Sequence, residues 1–264
     1  MIRAALALAL VAGAAAASPE IPPDTQVVWL GEIHDNPGHH DTQATLTAKF
    51  APDALVFEML SPGQVKDAAG VDRTDADALE EAFAWADGGW PDFAMYAPIF
   101  AAVPDAALYG SARPPAATSR AVQVGALAVF GADGARFGLD ASLPPDERAA
   151  REAGQAAAHC DALPPDLLPG MVEAQRLRDA DLAAAALRAL DDGADRVVVI
   201  AGSGHVRPDH GAPTLLALAD PDVRQAVVWQ GEDGAAPPDW DAAIPVSTIS
   251  APAPERGDPC AAFR

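Results

Sequence analysis

Short runs of apolar, often β-branched residues recur along the chain, and longer segments with helical periodicity separate them. The runs are apolar at consecutive positions, which is typical of strands that are covered on both faces. They predict strands at 26–30, 54–57, 106–109, 195–200 and 225–229. The alternation of strands and helices predicts an α/β fold, with a mostly parallel sheet flanked by helices.

The segments between these strands have the signals of helices. Asn36 and Pro37 supply a capping residue and a first-turn proline for a helix that runs to about Phe50. Further helices are predicted at 75–86, 91–103, 120–130, 144–160 and 167–190. Because most of them fall between the second and fourth main strands, we expect an inserted helical subdomain, or lid, over about residues 72–165.

The two ends of the chain differ from the rest in composition. Residues 1–17 contain one basic residue, Arg3, and then an apolar run that ends in small residues, as in a cleaved signal peptide. That run is shorter than the roughly 20 residues of a membrane-spanning helix, and no cysteine adjoins the expected cleavage site. We therefore expect a periplasmic protein with no lipid anchor and no integral membrane span. Residues 18–264 should form one domain, with a Pro-rich tail over about 235–264 that wraps the surface.

The net charge and the cysteine content indicate which partners and which cellular compartment to expect. The chain has 17 Lys and Arg residues against 38 Asp and Glu residues, a formal net charge of −21. Such a surface repels nucleic acid, so we expect no nucleic-acid partner. Cys160 and Cys260 are the only cysteines of the sequence. In an oxidising compartment this pair predicts a disulfide that ties the tail to the end of the 144–160 helix.

Ionisable residues are concentrated directly after three of the predicted strands. Glu32 and His34 follow the first strand, Glu58 the second and His205 the fourth. Because the C-terminal ends of parallel strands share one edge of a sheet, we expect these side chains to converge there. Imidazole and carboxylate groups together suit a divalent metal such as Fe, Mn, Co or Zn. His34, Glu58 and His205 are the predicted metal ligands.

The carboxylate of Glu58 also has a purely structural interpretation. It could pair with an arginine of the predicted helix at 167–190, such as Arg176 or Arg178. Surface ion pairs explain much of the polar cluster on that helix. Alternatively, Gln175, Arg178 or Asp179 faces the crevice at the edge of the sheet.

Further candidate ligands lie on two of the predicted helices. His39 and His40 fall in the first turn of the helix that Pro37 opens, where the positive end of the helix dipole keeps an imidazole neutral, as a ligand must be. Either ring could instead face solvent. The aromatic residues of segment 90–100 are spaced to share one helical face, which forms either part of the core or a cofactor wall. In the second case Tyr96 and Met95 could ligate haem iron.

Several motifs, in this order, resemble the ChaN-like haem-binding proteins of the Tiki/ChaN superfamily: LGEIHDNPGHHDTQ, LVFEML, WPDFAMYAPIF, MVEAQRLRDADLA and AGSGHVRPDHGAP. The resemblance covers most of residues 26–216. It implies an α/β core with a helical subdomain, in an exported bacterial protein of haem or iron uptake that binds haem at the C-terminal edge of its sheet. Two haems stacked between protomers would require a homodimer.

The resemblance also implies candidate haem ligands. Haem ligation in such proteins can use a tyrosine, and the sequence contains only Tyr96 and Tyr109. Tyr96 is the better candidate because it lies in the predicted helical layer. His39, His40 and Met95 complete the expected haem-binding set.

A metal-dependent hydrolase is the alternative that the resemblance leaves open. The superfamily includes Tiki peptidases and erythromycin esterases, and the Tiki signature is two G-x-x-H motifs plus a glutamate. Residues 31–34, residues 202–205 and Glu58 match this signature. In such an enzyme Glu32 or Glu58 would act as general base on a metal-bound water, and the ligand would be a peptide or another small molecule.

Overall fold

A parallel sheet forms the centre of the computed structural model, which describes residues 19–238, 240, 243–258 and 260–261. The strands are β1 Val27–Glu32, β2 Ala54–Phe57, β3 Ala107–Gly110, β4 Val197–Gly202, β5 Gln225–Glu232 and β6 Val246–Ala251. Within the described residues they form one sheet in the order β3-β2-β4-β1-β5-β6, and every neighbouring pair is parallel. The α/β fold predicted from the sequence is confirmed.

Helices cover both faces of this sheet. They are α1 Pro37–Phe50, α2 Pro62–Asp67, α3 Ala76–Ala82, α4 Phe93–Ala102, α5 Pro115–Val124, α6 Ala126–Phe130, α7 Pro145–Ala158, α8 Leu168–Asp191 and α9 Ala212–Ala219. Alternate strand residues point to opposite faces. Trp29 packs in the cluster that contains α8 and α9, and Leu30 packs in the cluster that contains α1 and α4. Burial on both faces is the reason that the central strands have no polar alternation.

Two of the predicted helices are interrupted in the structure. The helix expected at 120–130 is divided into α5 and α6 by Gly125, whose φ of +88° is readily available only to glycine. The helix expected at 75–86 ends with α3, and after the left-handed residue Ala84 a short 3-10 turn follows at Trp85–Gly88. Helical periodicity in the sequence continues across both breaks, so the pattern alone did not locate them.

The tail contains a strand that the sequence did not predict. Strand β6 pairs with β5 at the edge of the sheet, and its residues alternate between exposed and half-buried. Because β6 lies at an edge and buries little, it lacks the continuous apolar run that identified the central strands. The tail is nevertheless tied down as expected, because Cys160 and Cys260 form a disulfide.

Two predictions from the sequence concern export and the membrane: a signal peptide at 1–17 and no membrane-spanning helix. The predicted signal peptide at 1–17 lies outside the described residues. None of the helices that the structure does describe is both long enough and apolar enough to cross a membrane.

Removal of the disulfide should lower the free energy of unfolding. The bond joins residues 100 positions apart, and closing a loop of that size restricts the unfolded chain by up to about 4–5 kcal/mol. We expect a Cys160→Ser/Cys260→Ser variant to lose a substantial part of this amount in urea denaturation. Reductant should lower the stability of the wild type to the same level and leave the variant unchanged. Equal stability of the two proteins without reductant would contradict this expectation.

Candidate functional site

The C-terminal edge of the sheet brings together the ionisable residues that follow its strands. Glu32 is the last residue of β1, Glu58 follows β2 directly, and His205 lies in the loop after β4. The Nε2 atom of His34 is 3.8 Å from Glu58 Oε2, and His205 Nε2 is 3.3 Å from Glu58 Oε1. The side chains of His34, Glu58 and His205 therefore lie side by side, as parallel strands require.

The carboxylate of Glu32 is the buried centre of one hydrogen-bond cluster. Its Oε1 accepts a 2.8 Å hydrogen bond from the hydroxyl of Tyr96 and lies 2.6 Å from His34 Nδ1. Its Oε2 accepts a 2.8 Å hydrogen bond from the side-chain amide of Gln43. Because Glu32 occupies Nδ1 of His34, the second nitrogen of that ring is directed toward Glu58.

The carboxylate of Glu58 is the centre of a second cluster. It accepts hydrogen bonds from the guanidinium of Arg178 and, at 2.7 Å, from the backbone N–H of Gly202. A side chain at Gly202 would place its Cβ only 3.1 Å from His34 Nε2, so glycine allows this close approach. Burial alone would raise the pKa of Glu58, but the charges of His205, His34 and Arg178 hold it well below its usual range.

His205 lies between two buried carboxylates. Its Nε2 faces Glu58, and its Nδ1 is 2.6 Å from Asp179 Oδ1. Burial lowers the pKa of His205, but the carboxylates of Glu58 and Asp179 outweigh this effect and raise the pKa to about 9. An imidazolium at this position offsets the charge of the two carboxylates.

His34 is the most accessible of the histidines predicted for the site. Its side chain is 31% exposed, and its ring centroid lies 5.0 Å from that of Trp90. Burial lowers the pKa of His34, but the hydrogen bond to Glu32 and the charge of Glu58 raise it above its ordinary value. Its Nε2 is beyond hydrogen-bond distance of Glu58, so this nitrogen is the one that a ligand could engage.

His39 and His40 are buried and hold the loop after β1. Nδ1 of His39 accepts a 2.9 Å hydrogen bond from the N–H of Ile33, and its Nε2 donates to the carbonyl of Gly231 at 3.0 Å. Both nitrogens of His39 are therefore engaged, and burial lowers its pKa. Nε2 of His40 donates to the carbonyl of His34 at 2.8 Å. This geometry gives both residues a structural role and leaves His39 no free nitrogen.

Tyr96 and Met95 lie on α4. The Tyr96 side chain is fully buried, and burial together with the charge of Glu32 raises the pKa of its hydroxyl far above its ordinary value. This hydroxyl donates its hydrogen bond to Glu32. Met95 is half-buried and packs against the apolar cluster that contains Tyr96.

Four residues that contribute to the edge were only partly indicated, or not indicated, by the sequence. Arg178 and Asp179 of α8 face the crevice, which is one of the two interpretations left open for the polar cluster of that helix. Arg176 instead pairs with Glu173 and donates to backbone carbonyls. Gln43, which is polar but buried in α1, had no distinguishing signal in the sequence, and neither did the position of Trp90 beside His34.

The structure gives no support to a preformed metal centre. Among the described residues, no group of three or more His, Cys, Asp or Glu side chains is arranged to hold a metal ion. The physical reason lies in the geometry of the edge: Arg178 and the backbone N–H of Gly202 already donate to Glu58, and Glu58 and Asp179 face the two ring nitrogens of His205. The described residues therefore give no support to the metal-dependent hydrolase with Glu32 or Glu58 as base.

Two cavities open at this edge. One, of about 360 Å³, is bordered by Glu58, Trp90, Arg113 and Arg178. The other, of about 470 Å³, lies between α7, α8 and the loop after β4. The residues that line them do not overlap.

The fold and the edge define an α/β protein that carries its ligand chemistry at the C-terminal ends of parallel strands. Residues 23–216 match the model of the family described as haem-binding uptake, Tiki superfamily, ChaN, and the chain belongs to this family. Strands β5 and β6 lie beyond the matched region.

Two solved structures are similar to this chain, and the one with a TM-score above 0.5 supports the same fold. One is described as cofacial heme binding to ChaN of Campylobacter jejuni; it is 18% identical, covers 78% of this chain and 82% of that chain, and has a TM-score of 0.58. The type III effector HopBA1 is 13% identical over 86% of this chain and 88% of that chain, with a TM-score of 0.44. No curated protein matches the chain.

The charged state of His205 should make stability depend on pH. Because folding raises its pKa from 6.5 to about 9, its stabilising contribution is complete below pH 6.5 and is lost as the pH rises through about 9. We expect the unfolding free energy of the wild type to fall over this interval by up to about 1.4 kcal/mol per pH unit more than that of His205→Gln. Parallel pH profiles of the two proteins in urea denaturation would contradict this assignment.

The hydrogen bond from Tyr96 to Glu32 should contribute measurably to stability. Tyr96→Phe leaves a buried carboxylate short of one donor, which should cost about 1–3 kcal/mol in unfolding free energy. Tyr109→Phe is the matched control, because the Tyr109 hydroxyl donates to Asp192 at an exposed position, and it should cost within about 0.5 kcal/mol. Similar losses from both substitutions would argue against a special role for the buried bond.

Proposed function

We propose that this chain is an exported haem-binding protein of haem or iron uptake that holds haem at the C-terminal edge of its sheet, with His34 as the ligand of the iron. Membership of the haem-binding uptake family supports the choice of haem. The observation that carries the choice of His34 is its geometry: Nδ1 is held by Glu32, Nε2 has no partner within hydrogen-bond distance in the described structure, and the ring is partly exposed.

The contact between Glu32 and His34 is of the kind that supports metal ligation. A histidine that ligates a metal commonly directs its other ring nitrogen to a carboxylate, which fixes the tautomer and the orientation of the ring. Glu32 is itself held by Tyr96 and Gln43, so the orientation of His34 is defined by side chains that are buried. When bound, haem supplies the iron centre, and this chain supplies the ligand and its support.

The cavity beside Trp90 has the chemistry that a porphyrin with two propionates requires. Trp90 offers an apolar ring next to His34. Arg113 and Arg178 border the same cavity, and their side chains are partly exposed. Arg113 already binds Asp181, and Arg178 already binds Glu58. A guanidinium has five N–H donors, however, so each arginine can also bind a second anion. The propionates are therefore assigned to these arginines.

The other residues of the predicted haem-binding set receive supporting roles in this proposal. Tyr96 holds Glu32, and His39 and His40 hold the loop that carries His34. Met95 is half-buried and packs against the apolar cluster that contains Tyr96. The disulfide between Cys160 and Cys260 is consistent with export to an oxidising compartment.

Titration with hemin tests the proposal. The wild type should give a saturable shift of the Soret band, and His34→Gln should bind at least about tenfold more weakly or lose the spectrum of an imidazole-ligated iron. His159→Gln is the matched control, because His159 lines neither of the two cavities. Tyr96→Phe should retain the wild-type spectrum, since Tyr96 is not assigned to the iron. The proposal fails if His34→Gln titrates like the wild type, or if the spectrum changes only in Tyr96→Phe.

A further inference from the structure

The segment that follows β6 runs from the edge of the sheet to the end of α7. We call residues 252–258 the strap. On one side the strap continues β6, and on the other it leads to Cys260, which is bonded to Cys160. Cys160 lies just beyond the end of α7, and α7 packs against α8. The strap is therefore anchored at both ends, by the pairing of β6 with β5 and by the disulfide.

Between these two anchors the strap contacts the loop after β1. Arg256 donates to both oxygens of Asp35, at 2.8 and 2.7 Å. The carbonyl of Pro252 accepts a 3.0 Å hydrogen bond from the side-chain amide of Asn36. Asp35 and Asn36 directly follow His34 in the sequence. The strap therefore holds the backbone next to the proposed ligand of the iron.

The middle of the strap lies at the surface of the protein. Residues 255–258 are exposed, so this part buries little apolar surface. The ion pairs that Arg256 makes with Asp35 and Glu232 are partly exposed, and exposed ion pairs contribute little individually. A weak contact on a tethered segment is maintained by how closely the tether confines it. The contact between Arg256 and Asp35 therefore depends on both anchors of the strap.

One of these anchors, the disulfide, is open to chemical change. Both cysteines are half-buried, so a reductant can reach the bond. Cys160 and Asp161 have φ angles of +57° and +55°, a conformation that L-residues rarely adopt. A dithiol reduces the bond through a mixed disulfide: two electrons and two protons pass to the cysteines, which become thiols, and the dithiol becomes a disulfide. Afterwards only β6 anchors the strap, and the turn after α7 can relax.

We infer that the strap makes haem binding sensitive to redox state. With the disulfide intact, the strap holds the loop that carries His34. Reduction of the disulfide by a dithiol loosens this loop and weakens the binding of haem. The inference rests on the proposed function and adds to it a condition under which the protein releases its ligand.

Hemin titration of the oxidised and the reduced protein tests the inference. The reduced form is prepared with dithiothreitol, its thiols are blocked with iodoacetamide, and both reagents are removed before hemin is added. It should bind hemin at least about fivefold more weakly than the oxidised wild type, and so should Cys160→Ser/Cys260→Ser. The same treatment should leave hemin binding by this variant unchanged. Far-UV circular dichroism checks that every form is folded at the temperature of the titration.

Substitutions of Arg256 test the strap while the disulfide stays intact. Arg256→Gln should weaken hemin binding by a similar factor, and Arg256→Lys should restore part of the loss because it keeps the charge. Arg224→Gln is the matched control and should bind like the wild type. Arg224 is also an exposed arginine in an ion pair, with Asp24, but it lies at the opposite edge of the sheet. Because both changes release one segment, reduction of Arg256→Gln should add little to its loss.

Hydrogen exchange without haem supplies a second readout. The backbone amides of residues 33–39 should exchange faster after reduction and in Arg256→Gln, because the loop opens more often. Equal exchange before and after reduction, equal hemin binding before and after reduction, or fully additive losses would each overturn the inference. Absence of hemin binding by the oxidised wild type would refute the proposed function and the regulation that rests on it. Hemin binding that is unaffected by reduction would refute only the role of the strap.

Discussion

Two buried carboxylates, Glu32 and Glu58, lie at the C-terminal edge of a parallel sheet with His34 between them, and the organisation of the edge follows from the need to neutralise them. Removing a carboxylate from water costs several kcal/mol unless charges and hydrogen bonds compensate it. Glu32 is compensated by Tyr96, Gln43 and His34. The partners of Glu58 are a backbone N–H, Arg178 and the charged ring of His205. Asp179 then balances the positive charge of His205.

This compensation determines which groups remain for a ligand. A side chain that neutralises a buried charge is held by that charge, and it can bind something else only if the charge finds another partner. Tyr96 is engaged in this way, and so is His205, while His39 is engaged by the backbone. His34 is different because one nitrogen serves Glu32 and the other remains open. His40 also has a nitrogen without a hydrogen-bond partner, but that nitrogen is buried, so His34 is the predicted site histidine whose open nitrogen is on a partly exposed ring.

The sequence predicted the fold and the meeting of Glu32, His34, Glu58 and His205, because both depend on local patterns and on the geometry of parallel strands. It did not predict which hydrogen-bond and ion-pair partners each of these side chains has. Burial of Tyr96 on α4 and the inward direction of Gln43 depend on the packing of α4 against α1. Such packing involves residues far apart in the chain and leaves no periodic trace. The same limit explains β6, whose pairing with β5 compensates for its weak apolar pattern.

Residues near the C-terminus also restrain the loop that carries His34. Arg256 donates to both oxygens of Asp35 and of Glu232. Asn36, which caps α1, donates to Glu232 and to the carbonyl of Pro252. Glu232, Pro252 and Arg256 lie beyond the region that the family model matches. They nevertheless hold Asp35 and Asn36, the residues that directly follow His34. Although the ion pairs of Arg256 are exposed and contribute little individually, each is bidentate and they form a network, which is the arrangement in which surface charges do restrain a loop. The position of His34 is therefore secured from two sides, by the buried carboxylate of Glu32 and by the tail.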